Sequence, residues 1–229
     1  RVVPAVANMF EGLAAFQPEE LRGRYANLTT AIGDDGFLRA LQLSNPGAHA
    51  LLRNTCSLTR LSGSEKINVV PTEATLELDC RLLPDQDPEA FIAEAVRVCA
   101  PGGRIVLSSP NFLRFLGWRD YHPRMRGLSN KWHNLQGLLE RRQAMRQTPD
   151  QVRFERMSPI IKEPFTPDDD AIVCTNALDM GFFLERNGAR LVDVACTDRT
   201  VPGWIDFVLN CSPLKYGLFN AWVVAEKRA

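Results

Sequence analysis

The hydrophobic pattern of this chain changes period along its length, and each change marks a different kind of element. Pro4–Phe16 sets Val6, Met9, Phe10, Leu13 and Ala14 on one helical stripe, with Pro4 suited to the first turn. Pro18–Leu21 and Asp34–Leu43 read as further helical pieces, Asn45-Pro46-Gly47 as a break, and Ala48–Arg53 as a short helix. At Thr55 the period becomes 2. Thr55–Leu61 alternates into the turn Ser62-Gly63-Ser64, and Lys66–Val70 continues extended to Pro71. Ala74–Leu82 then puts Leu76, Leu78 and Cys80 on one face and Thr75, Glu77, Asp79 and Arg81 on the other. That alternation predicts a half-buried antiparallel strand.

A helical period returns after the turn Pro84–Pro88. Asp87 is placed to cap a helix that begins at Pro88 and runs through Phe91, Ile92, Ala95, Val96 and Cys99, until Pro101-Gly102-Gly103 stops it. Arg104–Ser109 is a short β-branched run, hence a buried strand. Residues 110–170 are irregular with two helices, one around Trp132–Arg146. Asp170–Asn187 reads as a helix with Gly188 as its stop, and Ala189–Ala195 and Phe219–Glu226 as strands. The fold class is therefore α/β, with an α+β N-terminal part of antiparallel strands and helices; for the later part, from Glu94 onward, a family resemblance implies an incomplete doubly wound sheet.

A length of 229 residues accommodates one large domain or two small ones. The formal net charge is zero, but residues 1–95 hold 8 Lys/Arg against 13 Asp/Glu, and the remainder holds 19 against 14. This asymmetry suggests two separately composed units, 1–95 and 96–229. No nucleic-acid partner is expected. The six cysteines are scattered with no Cys-x-x-Cys pair, so reduced, mostly buried thiols in a cytoplasmic protein are expected rather than disulfides or a zinc site. No apolar run approaches the roughly 20 residues that span a bilayer. Arg1-Val-Val-Pro4 has neither an initiator Met nor a signal pattern, and the chain is expected to begin within a domain.

Two resemblances follow. The run Asn54–Thr59, then Gly63-Ser-Glu-Lys-Ile-Asn-Val-Val-Pro71, then Ala74–Pro84, followed by a helix, resembles the lid or dimerisation domain of the zinc exopeptidases and amidohydrolases. That family includes aminoacylase, carboxypeptidase G and succinyl-diaminopimelate desuccinylase. The resemblance covers residues 1–95. It implies a four-stranded antiparallel sheet with two helices on one face, and a homodimer through the edge of that sheet. It also implies that Asn68 and Arg81, thirteen residues apart, help hold a substrate carboxylate over zinc; an Arg fork and an Asn amide suit that task. The plainer reading makes Asn68 a strand-end residue and Arg81 a solvated one. The zinc ligands of that family lie in a separate catalytic domain. His49, His122 and His133 occur here in no His-x-Asp context, so hydrolysis by this chain alone is not expected.

From Glu94 to Phe112 the chain resembles the helix–Pro-Gly-Gly–strand passage of class I S-adenosylmethionine-dependent methyltransferases. Gly188–Val194 and Tyr216–Lys227 are similar to that family's two closing strands. The resemblance covers residues 95–229 and implies a substrate cap between them. Between Arg114 and Arg146 this stretch carries 8 basic residues against Asp120 and Glu140, with Arg119, His122 and Arg124 as candidate contacts to a small or lipid-like acceptor. A solvated face over a small core is the plainer alternative, and Asp168-Asp169-Asp170 reads as a helix cap. S-adenosylmethionine is the cofactor of the family, yet no Gly-x-Gly occurs here to hold it.

Three readings result. The chain is a composite or truncated one without a complete active site, a methyltransferase whose cofactor pocket goes unrecognised or comes from a partner chain, or a dimerisation module of a zinc amidohydrolase or exopeptidase. In the composite, one helix, Pro88–Cys99, serves both parts. Arg104–Ser109 then either completes the lid-type sheet or joins the two closing strands in a three-stranded sheet with one edge unpaired.

Overall fold

The computed structural model describes residues 2–64, 66, 68–117, 122–160 and 171–228. The chain is mixed α/β and divides into two compact units, Arg1–Gln86 and Asp87–Ala229.

The first unit opens with helices α1 (Pro4–Leu13), α2 (Glu19–Ala26), α3 (Leu28–Ala31), α4 (Asp35–Ser44) and α5 (Pro46–Ala50). The Asp34 carboxylate accepts from Phe37 N at 3.1 Å and starts α4, and Asn45 Oδ1 accepts from Ala48 N at 3.0 Å and starts α5. The segment read as a break, Asn45-Pro46-Gly47, is thus a helix N-terminus with proline in the first turn. Phe10, Tyr25, Leu28, Phe37 and Leu41 form the core of this bundle, with the Phe10 and Tyr25 rings 4.9 Å apart.

Strands β1 (Thr55–Ser62) and β2 (Thr75–Arg81) follow and pair antiparallel, in the register Leu58↔Leu78 and Leu61↔Leu76, with an irregularity between Leu58 and Arg60. The expected alternation is present, but the expected burial is not. Leu58, Leu61, Leu76 and Leu78 are 53–65% exposed, because among the described residues only two strands pair here and no helix covers their apolar face. The described residues of the Lys66–Val70 stretch form turns and bends rather than a strand.

The expectation of reduced cysteines is corrected here. Cys56 and Cys80 are opposite one another in the ladder, with Cα atoms 4.2 Å apart, and are joined as a disulfide. Register, not spacing in sequence, brings them together. Cys99, Cys174, Cys196 and Cys211 are free.

The second unit begins with α6 (Pro88–Val98), whose first turn is capped by the Asp87 carboxylate accepting from Glu89 N at 2.9 Å. It continues through β3 (Arg104–Pro110), α7 (Gly127–Gln147), α8 (Ala177–Arg186), β4 (Ala189–Thr197), α9 (Gly203–Asn210) and β5 (Asn220–Lys227). The helix expected from Asp170 starts later, where Asn176 Oδ1 accepts from Asp179 N at 2.8 Å.

The sheet order is β3-β5-β4, with β5 antiparallel to both neighbours. Of the two arrangements expected for Arg104–Ser109, the structure has the one that pairs it with the closing strands, and among the described residues the first part has two paired strands rather than the four-stranded sheet implied. Ala221, Val223 and Ala225 of β5 are fully buried against Ile92 and Val96 of α6 and Met180, Phe183 and Leu184 of α8. Close approach of α8 to the sheet needs Gly181, where a Cβ would stand 3.2 Å from Leu191. The helix expected to serve both parts therefore turns its apolar face to the core of the second unit.

A lone two-stranded hairpin is marginal in water, so the disulfide is the strongest restraint on β1 and β2. Closing a loop of this length contributes about 3 kcal/mol. Reduction, or Cys80→Ser, should abolish hydrogen-exchange protection of the β1–β2 amides and leave that of β3–β5 unchanged. Undiminished protection in the hairpin would contradict this.

Candidate functional site

The hairpin carries the residues expected to hold a carboxylate, and it places them apart. Asn68 is exposed in the connection between β1 and β2, whose base is marked by Pro71 packing beside Gly63. Arg81 ends β2 opposite Thr55, at the other end of the ladder. Thr75 and Arg81 are separated by six strand steps, or about 20 Å. The Arg81 guanidinium is largely exposed and its Nε is 3.5 Å from the Asp79 carboxylate on the same polar face. Arg60 pairs with Glu77 at 3.3 Å on that face. The opposite face bears Leu58, Leu61, Leu76, Leu78 and the disulfide, an apolar strip open to solvent.

In the second unit the polar residues converge where β3 and β4 end and β5 begins. Asn111 Nδ2 donates to the carbonyls of Tyr216 and Leu218, each at 2.7 Å, tying the segment after β3 to the segment before β5. Arg114 and Asp198 form an ion pair at 2.8 Å with both side chains fully buried. Gly117 lies against this pair at φ +94°, where a Cβ would come within 2.2 Å of the Arg114 Nη2. The Asn134 amide donates to Arg114 O at 2.9 Å and fastens α7 to the same segment. Sequence reasoning passed over Arg114 and Asp198, which are 84 residues apart.

Of the expected cap residues, Arg119 lies outside the described residues, as do Asp168, Asp169 and Asp170. His122 is buried edge-on against Phe112, and its Nδ1 accepts from Arg124 N at 3.2 Å. Arg124 is ion-paired with Glu155. A cleft of about 390 Å³ opens beside them, lined by Leu113, Arg124, Asn134, Glu140, Arg141 and Glu155 among others. Its two arginines are already matched, since Arg141 Nε donates to the buried Asp179 carboxylate at 2.6 Å. Burial pushes the Asp179 carboxyl above the usual carboxylate range, and Arg141 and Asn176 pull it partly back. A carboxyl that binds its proton more tightly when folded opposes folding once ionised, and that cost fades as pH falls through its range. Burial also pushes the Cys174 and Cys196 thiols up to about 12, which leaves them inert as nucleophiles near neutrality.

Among the described residues no three His, Cys, Asp or Glu side chains are grouped to hold a metal ion. The described residues therefore offer no donor set that fits the zinc of the exopeptidase family. No described helix is long and apolar enough to cross a membrane.

In comparison with known families, residues 10–104 match the model of the peptidase dimerisation domain. The match begins within α1, covers the rest of the bundle and the hairpin, extends past Gln86 through α6, and ends at the first residue of β3. No match was found among curated proteins or among solved structures. The similarity supports the lid-like reading of the first part, and nothing comparable supports the methyltransferase reading of the second.

The buried pair is the feature of the second unit most open to test. Asp198→Asn keeps the shape but removes one charge of a fully buried ion pair, which costs about 3–5 kcal/mol. Urea unfolding followed by tryptophan fluorescence should show that loss. An unchanged midpoint would contradict a fully buried pair.

Proposed function

We propose that this chain acts through association, as a dimerisation module of the peptidase type carried by its first unit, and that it performs no hydrolysis alone. The observation that carries this reading is the bare apolar strip of Leu58, Leu61, Leu76 and Leu78 on a region similar to a peptidase dimerisation domain. Two such strips brought face to face, or strand edge to strand edge, would remove the leucines from water in a two-fold contact. Asn68 and Arg81 stand at opposite ends of the hairpin, so a carboxylate-binding role for them would need each to act with groups from another polypeptide. Zinc chemistry belongs, in this reading, to a catalytic domain other than the described residues.

A second reading concerns the origin of the second unit. The pairing of β3 with β5 and β4, with α6 leading to β3 and α8 to β4, favours descent of residues 96–229 from a methyltransferase-type sheet. The Gly-x-Gly turn that would hold S-adenosylmethionine does not occur in the sequence, so the residues present do not fit that cofactor.

Sedimentation equilibrium tests the first reading. The intact chain should self-associate at micromolar concentration, and Leu58→Asp combined with Leu78→Asp should weaken the hairpin contact by at least about 100-fold, since each buried leucine is worth about 1.5–3 kcal/mol. Association unaffected by the paired substitution would reject the hairpin as the contact.

A further inference from the structure

The two edges of the β3-β5-β4 sheet are treated differently, and the difference points to a second contact between copies. The β4 edge is closed over its second half, at Val194 and Cys196. Asn210 of α9 mimics a neighbouring strand: its Nδ2 donates to Cys196 O at 2.8 Å, and its Oδ1 accepts from Cys196 N at 3.0 Å. Lys215 Nζ donates to Val194 O, and the ladder is irregular between Leu191 and Asp193. Among the described residues the β3 edge is closed only at its end, where Thr175 Oγ1 donates to Pro110 O at 2.8 Å and Phe112 N donates to Thr175 O at 2.9 Å.

From Arg104 to Ser108 the outer backbone of β3 has no partner among the described residues. Between Arg104 at its start and Pro110 at its end, the stretch Ile-Val-Leu-Ser carries no proline, no bulge and no inward charge to keep the edge unpaired. The solvent side of the sheet beside it bears Val106, 54% exposed, and Trp222, 46% exposed.

We propose that a second copy of this chain adds its β3 antiparallel to this edge, about a two-fold axis at Val106, to give one sheet of six strands. The sequence is self-complementary in that register. Arg104 falls opposite Ser108 of the other copy and Ile105 opposite Leu107, so no like charges meet. Val224 and Val106 of each copy form one row across the joined sheet, so the two bare patches become a single stripe. An extended segment of an unrelated protein would find the same backbone groups, but not this matched register.

The contact is independent of the hairpin. A chain with a two-fold contact in each unit links copies into species larger than a dimer. Sedimentation velocity on the intact chain tests this with Val106→Lys, which places like charges face to face on the axis at a position already exposed to solvent. The intact chain is expected to show species beyond the dimer. Val106→Lys should remove them and weaken the β3 contact by at least about tenfold. With Leu58→Asp and Leu78→Asp added, only monomer should remain. A size distribution unmoved by Val106→Lys overturns the β3 contact and leaves the hairpin reading standing. Conversion to monomer by Val106→Lys alone overturns the hairpin reading and leaves the β3 contact standing. Val106→Cys guards against a folding defect in the lysine variant. Facing residues of an antiparallel pair lie about 4.5–5.5 Å apart between Cα atoms, which a disulfide can bridge. Mild oxidation should therefore join two copies at position 106, identified by peptide mass spectrometry. Failure to form that link also overturns the proposal.

Discussion

A helix can bury a given apolar stripe only once, and the organisation of this chain follows from where α6 buries its own. Ile92 and Val96 lie in the core of the second unit, against β5 and α8. The dimerisation-domain similarity nevertheless runs through this helix to Arg104. The helix thus reads by sequence with the part before it and packs with the part after it. Once α6 and β3 are committed to the β3-β5-β4 sheet, the hairpin is left with two strands and an uncovered face.

Both sheets then carry the consequences of incompleteness in different forms. The hairpin keeps its leucines in water and is held in register by the Cys56–Cys80 disulfide. The three-stranded sheet has a dense core on one side, with Ala221, Val223 and Ala225 fully buried, and an open β3 edge flanked by Val106 and Trp222 on the other. Exposed apolar strips and unpaired strand edges are surfaces on which proteins associate. The polar groups of the second unit, by contrast, are largely committed to holding segments together: Asn111, Asn134 and the Arg114–Asp198 pair each join chain regions distant in sequence. That contrast is what the proposal of association rests on.

Local signals were legible in the sequence wherever a few neighbouring residues decide the outcome. Asp87 and Pro88 start α6, Gly188 follows the end of α8 at φ +93°, and the alternation in β2 sets which residues share a face. Burial was not legible, because Leu76 and Leu78 have the pattern of a covered strand whether or not a cover exists. The disulfide was missed because it depends on ladder register, and the Arg114–Asp198 pair because it depends on how two distant strands end together. Helix α9 was also missed. Its Trp204, Phe207 and Val208 are exposed, so no buried stripe announces it, and its Asn210 acts by hydrogen-bonding an edge. The Asn68 and Arg81 spacing carried the family resemblance, but spacing alone says nothing of the ladder that holds them at opposite ends.

The partition of α6 is the claim on which the rest stands, and native-state hydrogen exchange on Ile92→Ala measures it directly. Truncating a buried isoleucine costs about 2–5 kcal/mol in the unit whose core it fills. The amides of β3, β4 and β5 should lose that much protection together, while those of β1 and β2 remain as they were. Loss of protection in β1 and β2, with the three-stranded sheet unchanged, would mean that the helix belongs to the hairpin after all.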